Sequence, residues 1–247
     1  MLNDWGMAKR VGVILSGCGR YDGSDVAEAM LVLLVLERAG AEAICAAPDV
    51  ALPAVVDHAS RKTGQGERNA RVEAARIIGG PVRALAELNP ADLDGLIIPG
   101  GVGATTTLSD YAAKGVLCQV HADVVRFLRA LLPARRPMGF LGLSALLAAR
   151  VLGPVAGVRV TFGSKGSIAA KHAAIMGADV RPCADEDIIV DQKSRLYTTP
   201  GFLPETAHLA GVARAVDRLV RAVVASAKDR NPAARTEPTT DLGRGSA

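Results

Sequence analysis

The chain has 247 residues, 49% of them apolar, with 29 basic and 25 acidic side chains and a net charge of +4. That length suits one large α/β domain, whose core must be built from Ala, Val and Leu because aromatics make up only 3%. The small positive excess, with no run of Lys and Arg interleaved with aromatics, argues against a nucleic-acid partner. No apolar segment approaches the roughly 20 residues that cross a bilayer.

Residues 1–8 read as a flexible leader, residues 9–228 as one domain, and residues 229–247, rich in Pro, Arg, Thr and Gly, as a disordered tail. Val11 to Leu15 is a continuous apolar run of the kind buried on both faces of a parallel sheet. A glycine turn, Gly17 to Ser24, follows it. Ser24 or Asp25 then caps a helix that ends at Gly40. Ala43 to Ala47 completes a strand–helix–strand unit with a right-handed crossover. Val50 to Gln65 reads as a loop or small insert. Asn69 to Ile78 is predicted helical, with Val72, Ala75 and Ile78 on its inner face. Pro81 to Ala84 and Gly95 to Ile98 are further strands, the second ending in Pro99-Gly100-Gly101-Val102-Gly103. Helical spacing runs from Val116 to Leu132. Pro137 to Leu141 is a buried strand that turns abruptly into a helix from Leu143 to Leu152, with Gly153-Pro154 as its break. Val158 to Thr161 is a strand and Ile168 to Met176 a helix. Ile188 to Val190 and Leu196 to Thr198 form a hairpin, and Thr206 to Ala225 a terminal amphipathic helix.

The pattern predicts a doubly wound, mostly parallel sheet with helices on both faces, plus a β-hairpin in its second half. In such sheets the ligand crevice lies at the strands' carboxyl ends. Three loops should meet there: Gly17 to Ser24, Pro99 to Thr107, and Leu141 to Ala145. Cys18, Cys45, Cys118 and Cys183 are scattered, with no C-x-x-C pair, and read as reduced thiols in a cytoplasmic protein. The four histidines are equally dispersed, so neither a metal site nor a cofactor is predicted.

Several residues could carry chemistry. Backbone N–H groups at Gly17 and Gly19, beside a helix N-terminus, could hold an anion, or the glycines could serve only the turn. The Gly17-x-Gly19 spacing misses a dinucleotide fingerprint by one residue. Glu28, just ahead of an all-apolar helical run, is a candidate general acid/base or a solvent-facing glutamate. Gly100, Gly101 and Gly103 could supply oxyanion-hole donors. Cys18 is a possible thiol nucleophile or a small residue that fits its turn. The strand-to-helix bend has the form of a nucleophile elbow, yet its bend residue is Gly142, followed by Leu143. Ser144 half matches G-x-S-x-G.

Taken together, Val13-Ile14-Leu15-Ser16-Gly17-Cys18-Gly19, Tyr21-Asp22-Gly23-Ser24, Glu28-Ala29, Glu67-Arg68-Asn69 and Pro99-Gly100-Gly101-x-Gly103-Ala104 resemble ElbB-type proteins. Pro137-x-Gly139-Phe140, Met176-Gly177-Ala178 and Thr198-Thr199-Pro200 continue the likeness, which spans about Lys9 to Ala225. That family belongs to the PfpI/ThiJ superfamily. The resemblance implies the flavodoxin-like, class I glutamine amidotransferase-like fold and a homodimer. It also implies an association with isoprenoid biosynthesis and a glutathione-independent glyoxalase activity. In the family an elbow cysteine is the nucleophile and a helix glutamate shuttles the proton. Glu28 falls at the glutamate position and Gly142 at the cysteine position.

Three readings follow. One is a degenerate crevice that binds a small carbonyl or anionic ligand without covalent chemistry. Another is an enzyme of glyoxalase or hydrolase type using Cys18 or Ser144. The third is a non-catalytic dimeric interaction protein.

Overall fold

The computed structural model describes residues 8–228; the leader and tail expected from the sequence lie outside them, save Ala8. The strands are β1 Arg10–Ile14, β2 Glu42–Ala47, β3 Val56–Asp57, β4 Lys62–Thr63, β5 Arg83–Ala84, β6 Gly95–Ile98 and β7 Met138–Leu141. They continue with β8 Arg159–Val160, β9 Asp179–Val180, β10 Ile189–Asp191 and β11 Leu196–Thr199. The helices are α1 Val26–Arg38, α2 Ala70–Ile78, α3 Gly103–Thr106, α4 Tyr111–Lys114, α5 Ala122–Leu131, α6 Ala145–Ala156, α7 Ile168–Ile175 and α8 Leu209–Ser226.

Seven strands form one sheet in the order β10-β11-β7-β6-β1-β2-β5. Every pairing in it is parallel except β10 with β11, the hairpin read from the sequence. The sheet is buried on both faces, and side chains alternate between two cores with the period of two that strands impose. Val11, Val13, Ile97 and Leu141 point to the core built with α1 and α8. Ile14, Leu96, Ile98, Met138 and Phe140 point to the opposite core, built with α5, α6 and α7. The doubly wound α/β architecture follows from that two-sided burial. The order reverses between β1 and β6, so the switch-point crevice opens at their carboxyl ends.

Local sequence rules set most of the element ends. Asp25, not Ser24, caps α1, its side chain accepting the Ala27 and Glu28 N–H groups. Asn69 caps α2 in the same way. The face of α2 differs from expectation. Val72 is 58% exposed, while Ala70, Glu73, Ala74 and Ile77 are buried. Glu73 can turn inward because Arg68 and Arg76 both pair with it, a compensation that hydrophobic spacing does not reveal.

The helix expected from Val116 starts only at Ala122, after a single 3₁₀ turn at Gly115–Leu117. The expected break at Gly153-Pro154 is not a break, and α6 continues to Ala156. Pro154 sits in the last turn, where Gly157 in the left-handed conformation closes the helix. Gly153 instead serves packing: a Cβ there would stand 2.5 Å from the Met176 carbonyl oxygen. The strand at Arg159–Val160 joins β9 in a small separate sheet. The Val50 to Gln65 insert contains the β3–β4 hairpin.

Candidate functional site

Four adjacent strands, β11, β7, β6 and β1, send their carboxyl-end loops to one place. The loop after β1 brings α1 and Glu28, that after β6 brings Gly100 to Val102, that after β7 brings Gly142 and Leu143, and that after β11 brings Phe202 and Leu203. They enclose a cavity of about 170 Å³. Glu28, Asp25, Arg20 and Tyr21 line it on one side, and Val102, Leu143, Phe202 and Leu203 supply its apolar wall. Among the described residues, no serine, threonine or cysteine reaches that wall.

Glu28 is only 2% exposed. Its Oε2 accepts the Gly100 N–H at 2.7 Å and its Oε1 accepts the Phe202 N–H at 3.0 Å. Burial pushes its carboxyl from the usual 4.5 up to about 7, and the neighbouring Asp25 carboxylate adds to the rise. The two N–H donors and the Arg20 guanidinium oppose the rise without cancelling it. The group therefore stands near the point where it can both give and take a proton at neutral pH.

Gly142 keeps the elbow's geometry without a side chain. Its φ is +53°, a left-handed conformation that a Cβ makes costly. A Cβ built there would lie 3.8 Å from Glu28 Oε1, 3.6 Å from Leu203 Cγ and 3.4 Å from the Pro200 carbonyl oxygen. The missing side chain would thus project toward the buried carboxyl.

The other sequence candidates separate from this centre. Ser144 Oγ is fully buried, accepts the Leu141 N–H at 3.0 Å, and lies 2.7 Å from the Ile98 carbonyl and 2.9 Å from that of Leu141. Its hydroxyl ties the elbow to β6 and is spent in doing so, which corrects its reading as a nucleophile. Cys18 does not line the cavity. Its thiol is raised, first by burial and then by Glu73, the reverse of the thiolate expected beside a helix start. The other thiols are raised as well, by burial first: Cys45 and Cys183 to about 11, and Cys118 in direction.

The anion cradle at the first glycine turn is likewise corrected. The Gly19 N–H donates to Ser24 O and the Gly23 N–H to Gly19 O, while Asp25 occupies the first N–H groups of α1. Gly17 lies outside the cavity wall. Gly100 and Gly103 spend their N–H groups on Glu28 and on Gly23 O. Of the expected ligand-binding residues, Gly101 and Leu143 line the cavity.

Arg20, Tyr21, Asp25, Val102, Phe202 and Leu203 are wall residues that sequence patterns did not single out. Arg20 and Tyr21 lie inside the glycine turn, where position alone could have drawn notice. Phe202 and Leu203 follow a strand whose place beside β7 rests on a non-local pairing, Leu196 with Met138.

No family model matches the chain. The human glutamine amidotransferase-like class 1 domain-containing protein 3, mitochondrial, is 41% identical over 209 residues, covering 81% of this chain and 77% of that protein. The rat ES1 protein homolog, mitochondrial, is 38% identical over 206 residues, covering 80% of this chain and 76% of that protein. Among solved structures, an isoprenoid biosynthesis protein with amidotransferase-like domain from Ehrlichia chaffeensis matches with a TM-score of 0.83 at 27% identity, covering 89% of this chain and 99% of its own. Drosophila melanogaster DJ-1beta matches with a TM-score of 0.54 at 16% identity, over 89% of this chain and 92% of its own, a likeness of fold. The cytoplasmic expectation is corrected by these relatives, whose names place them in mitochondria and so point away from the cytoplasm. Scattered cysteines distinguish a reducing compartment from an oxidising one but not the cytoplasm from an organelle. On identity and coverage, the chain belongs to the ElbB-like and ES1 family of glutamine amidotransferase-like class 1 domain proteins, and it shares its fold with the DJ-1 and ThiJ/PfpI proteins.

Proposed function

We propose that the crevice binds a small carbonyl or anionic ligand without forming a covalent bond to it, with Glu28 as its proton donor and acceptor. The observation that carries this reading is the pairing of Gly142 with Glu28. The elbow keeps its left-handed bend and its carboxyl neighbour, yet presents only hydrogen to the cavity. Losing one member of a coupled catalytic unit costs on the order of 10⁴ to 10⁶ in rate. The binding walls need no such member. A glyoxalase-type lyase reaction through a thiol therefore has less support than binding, because neither Cys18 nor Ser144 lines the cavity.

A role beside isoprenoid biosynthesis is part of the same proposal, supported by the name of the Ehrlichia chaffeensis relative. So is a homodimer. Val26, Met30 and Leu34 recur every fourth residue along α1 and are 42%, 46% and 40% exposed, an apolar stripe suited to a second copy.

The test is turnover of methylglyoxal by purified protein and by Glu28→Ala. The expected result is no Glu28-dependent turnover, with Glu28-dependent binding of unreactive small carbonyl compounds. Clear turnover that vanishes in Glu28→Ala would overturn the binding reading. Iodoacetamide mapping checks the rival nucleophile: Cys18 should label no faster than free cysteine.

A further inference from the structure

Arg20 stands at the cavity wall in a geometry that its role as a turn residue does not require. Its Nε donates to Asp25 Oδ2 at 2.5 Å, and its guanidinium carbon lies 4.3 Å from the centre of the Phe202 ring. The side chain is 43% exposed, against 4% for Asp25. Asp25 is itself fixed, since its Oδ1 accepts the Ala27 and Glu28 N–H groups at 3.0 and 3.1 Å.

The cation and the buried acid are thus mounted on the same two residues. Asp25 holds the Glu28 backbone with one oxygen and Arg20 with the other. Phe202 donates its N–H to Glu28 Oε1 and lays its ring against Arg20. Neither charged group can move far without the other. Among the described residues, both terminal amino groups of Arg20 lack a hydrogen-bond partner, so the end of the fork remains available at the cavity mouth.

We infer that Arg20 anchors the carboxylate of a short 2-oxo or 2-hydroxy acid whose neighbouring oxygen reaches Glu28. The inference rests on the binding reading above and narrows its ligand class. A planar guanidinium whose Nε is already engaged presents its two terminal nitrogens to a planar carboxylate. Val102, Leu143 and Leu203 leave an apolar wall for a short alkyl group. A cavity of about 170 Å³ accommodates a ligand of a few carbon atoms. The charge balance also selects. Arg20 and Asp25 cancel, so with Glu28 protonated the centre is neutral before a ligand arrives, and a monoanion meets less repulsion from Asp25 than a dianion would. A phosphate dianion would face Asp25 at close range with no second cation among the lining residues.

The experiment compares pyruvate with hydroxyacetone, a neutral molecule of similar size that retains the carbonyl. Binding is followed by NMR chemical-shift titration on the full chain. In the unmodified protein both should bind, pyruvate more tightly. Arg20→Met should weaken pyruvate about tenfold or more and leave hydroxyacetone within about twofold. Arg20→Lys, which keeps the charge but not the fork, should fall between. Unchanged pyruvate affinity in Arg20→Met, or equal loss of both probes, overturns the assignment. If hydroxyacetone binds in a Glu28-dependent way and pyruvate does not, the anchor is wrong and the binding reading stands. Failure of both probes to bind the unmodified protein overturns the two together.

Discussion

Replacing Glu28 by glutamine separates the cost of its charge from the rest of its role. The carboxyl is raised from 4.5 to about 7, so the folded state binds a proton that the unfolded state has lost over that interval. Stability is therefore full below about pH 4.5, falls as pH rises toward 7, and levels off above it. A tenfold difference in proton affinity between folded and unfolded states corresponds to about 1.4 kcal/mol. Between about pH 5 and pH 8 the loss sums to roughly 2–3 kcal/mol. Glutamine carries no charge at either pH. It does lose one acceptor, leaving either the Gly100 or the Phe202 N–H against an amide NH₂ group, a penalty of about 1–3 kcal/mol that is the same at every pH. The informative quantity is thus the difference in unfolding free energy between Glu28→Gln and the unmodified protein, followed by urea titration across that range. It should move in favour of the variant by roughly 2–3 kcal/mol from about pH 5 to pH 8. A difference that stays flat would mean that Glu28 is ionised in the folded protein at ordinary values, and the proton-exchange role would fall with it.

Other changes test the surroundings. Gly142→Cys has room for its Cβ, with no contact closer than 3.4 Å, but must adopt a φ of +53°. It should fold with about 1–2 kcal/mol less stability and give a thiol that alkylates faster than the four native cysteines, as read by peptide mapping. Ser144→Ala should cost roughly 1–3 kcal/mol in denaturant titration, since its hydroxyl is buried and bonded to both β6 and β7, while ligand binding persists. Gly153→Ala, which in an ordinary helix would stabilise by about 1 kcal/mol, should destabilise here because the Met176 carbonyl stands 2.5 Å from the new methyl. The sign of its shift in thermal midpoint decides this.

The layout of the sheet was legible because its strands are continuous apolar runs closed by glycine and proline, and because caps such as Asp25 and Asn69 announce helix starts. The positions of Glu28 and Gly142 were legible from local pattern too, Glu28 in the first turn of a capped helix ahead of an all-apolar run, Gly142 directly after a buried strand. What failed was information held in pairs. Whether the N–H groups of the turn and of the helix start are free depends on Ser24 O and Gly19 O, which take those of Gly19 and Gly23, and on Asp25, which takes those of Ala27 and Glu28. Whether Glu73 can be buried depends on Arg68 and Arg76. Phe202 reaches the site only because β11 lies beside β7, a pairing that no local pattern encodes.

The elbow and the acid bear on each other through electrostatics as well as position. A thiolate on a side chain at position 142 would have its Cβ 3.8 Å from Glu28 Oε1, and a negative sulfur so placed would push the carboxyl still higher. With hydrogen there instead, the rise to about 7 comes from burial and Asp25, with no help from the elbow. The acid is thus poised between its protonated and ionised forms near neutral pH through its own surroundings. That is why the pocket holds a group suited to proton exchange with only a glycine at the elbow. It also explains how Gly142 can be tolerated without collapse, since the carboxyl is held by the Gly100 and Phe202 N–H groups, and neither bond passes through the elbow residue.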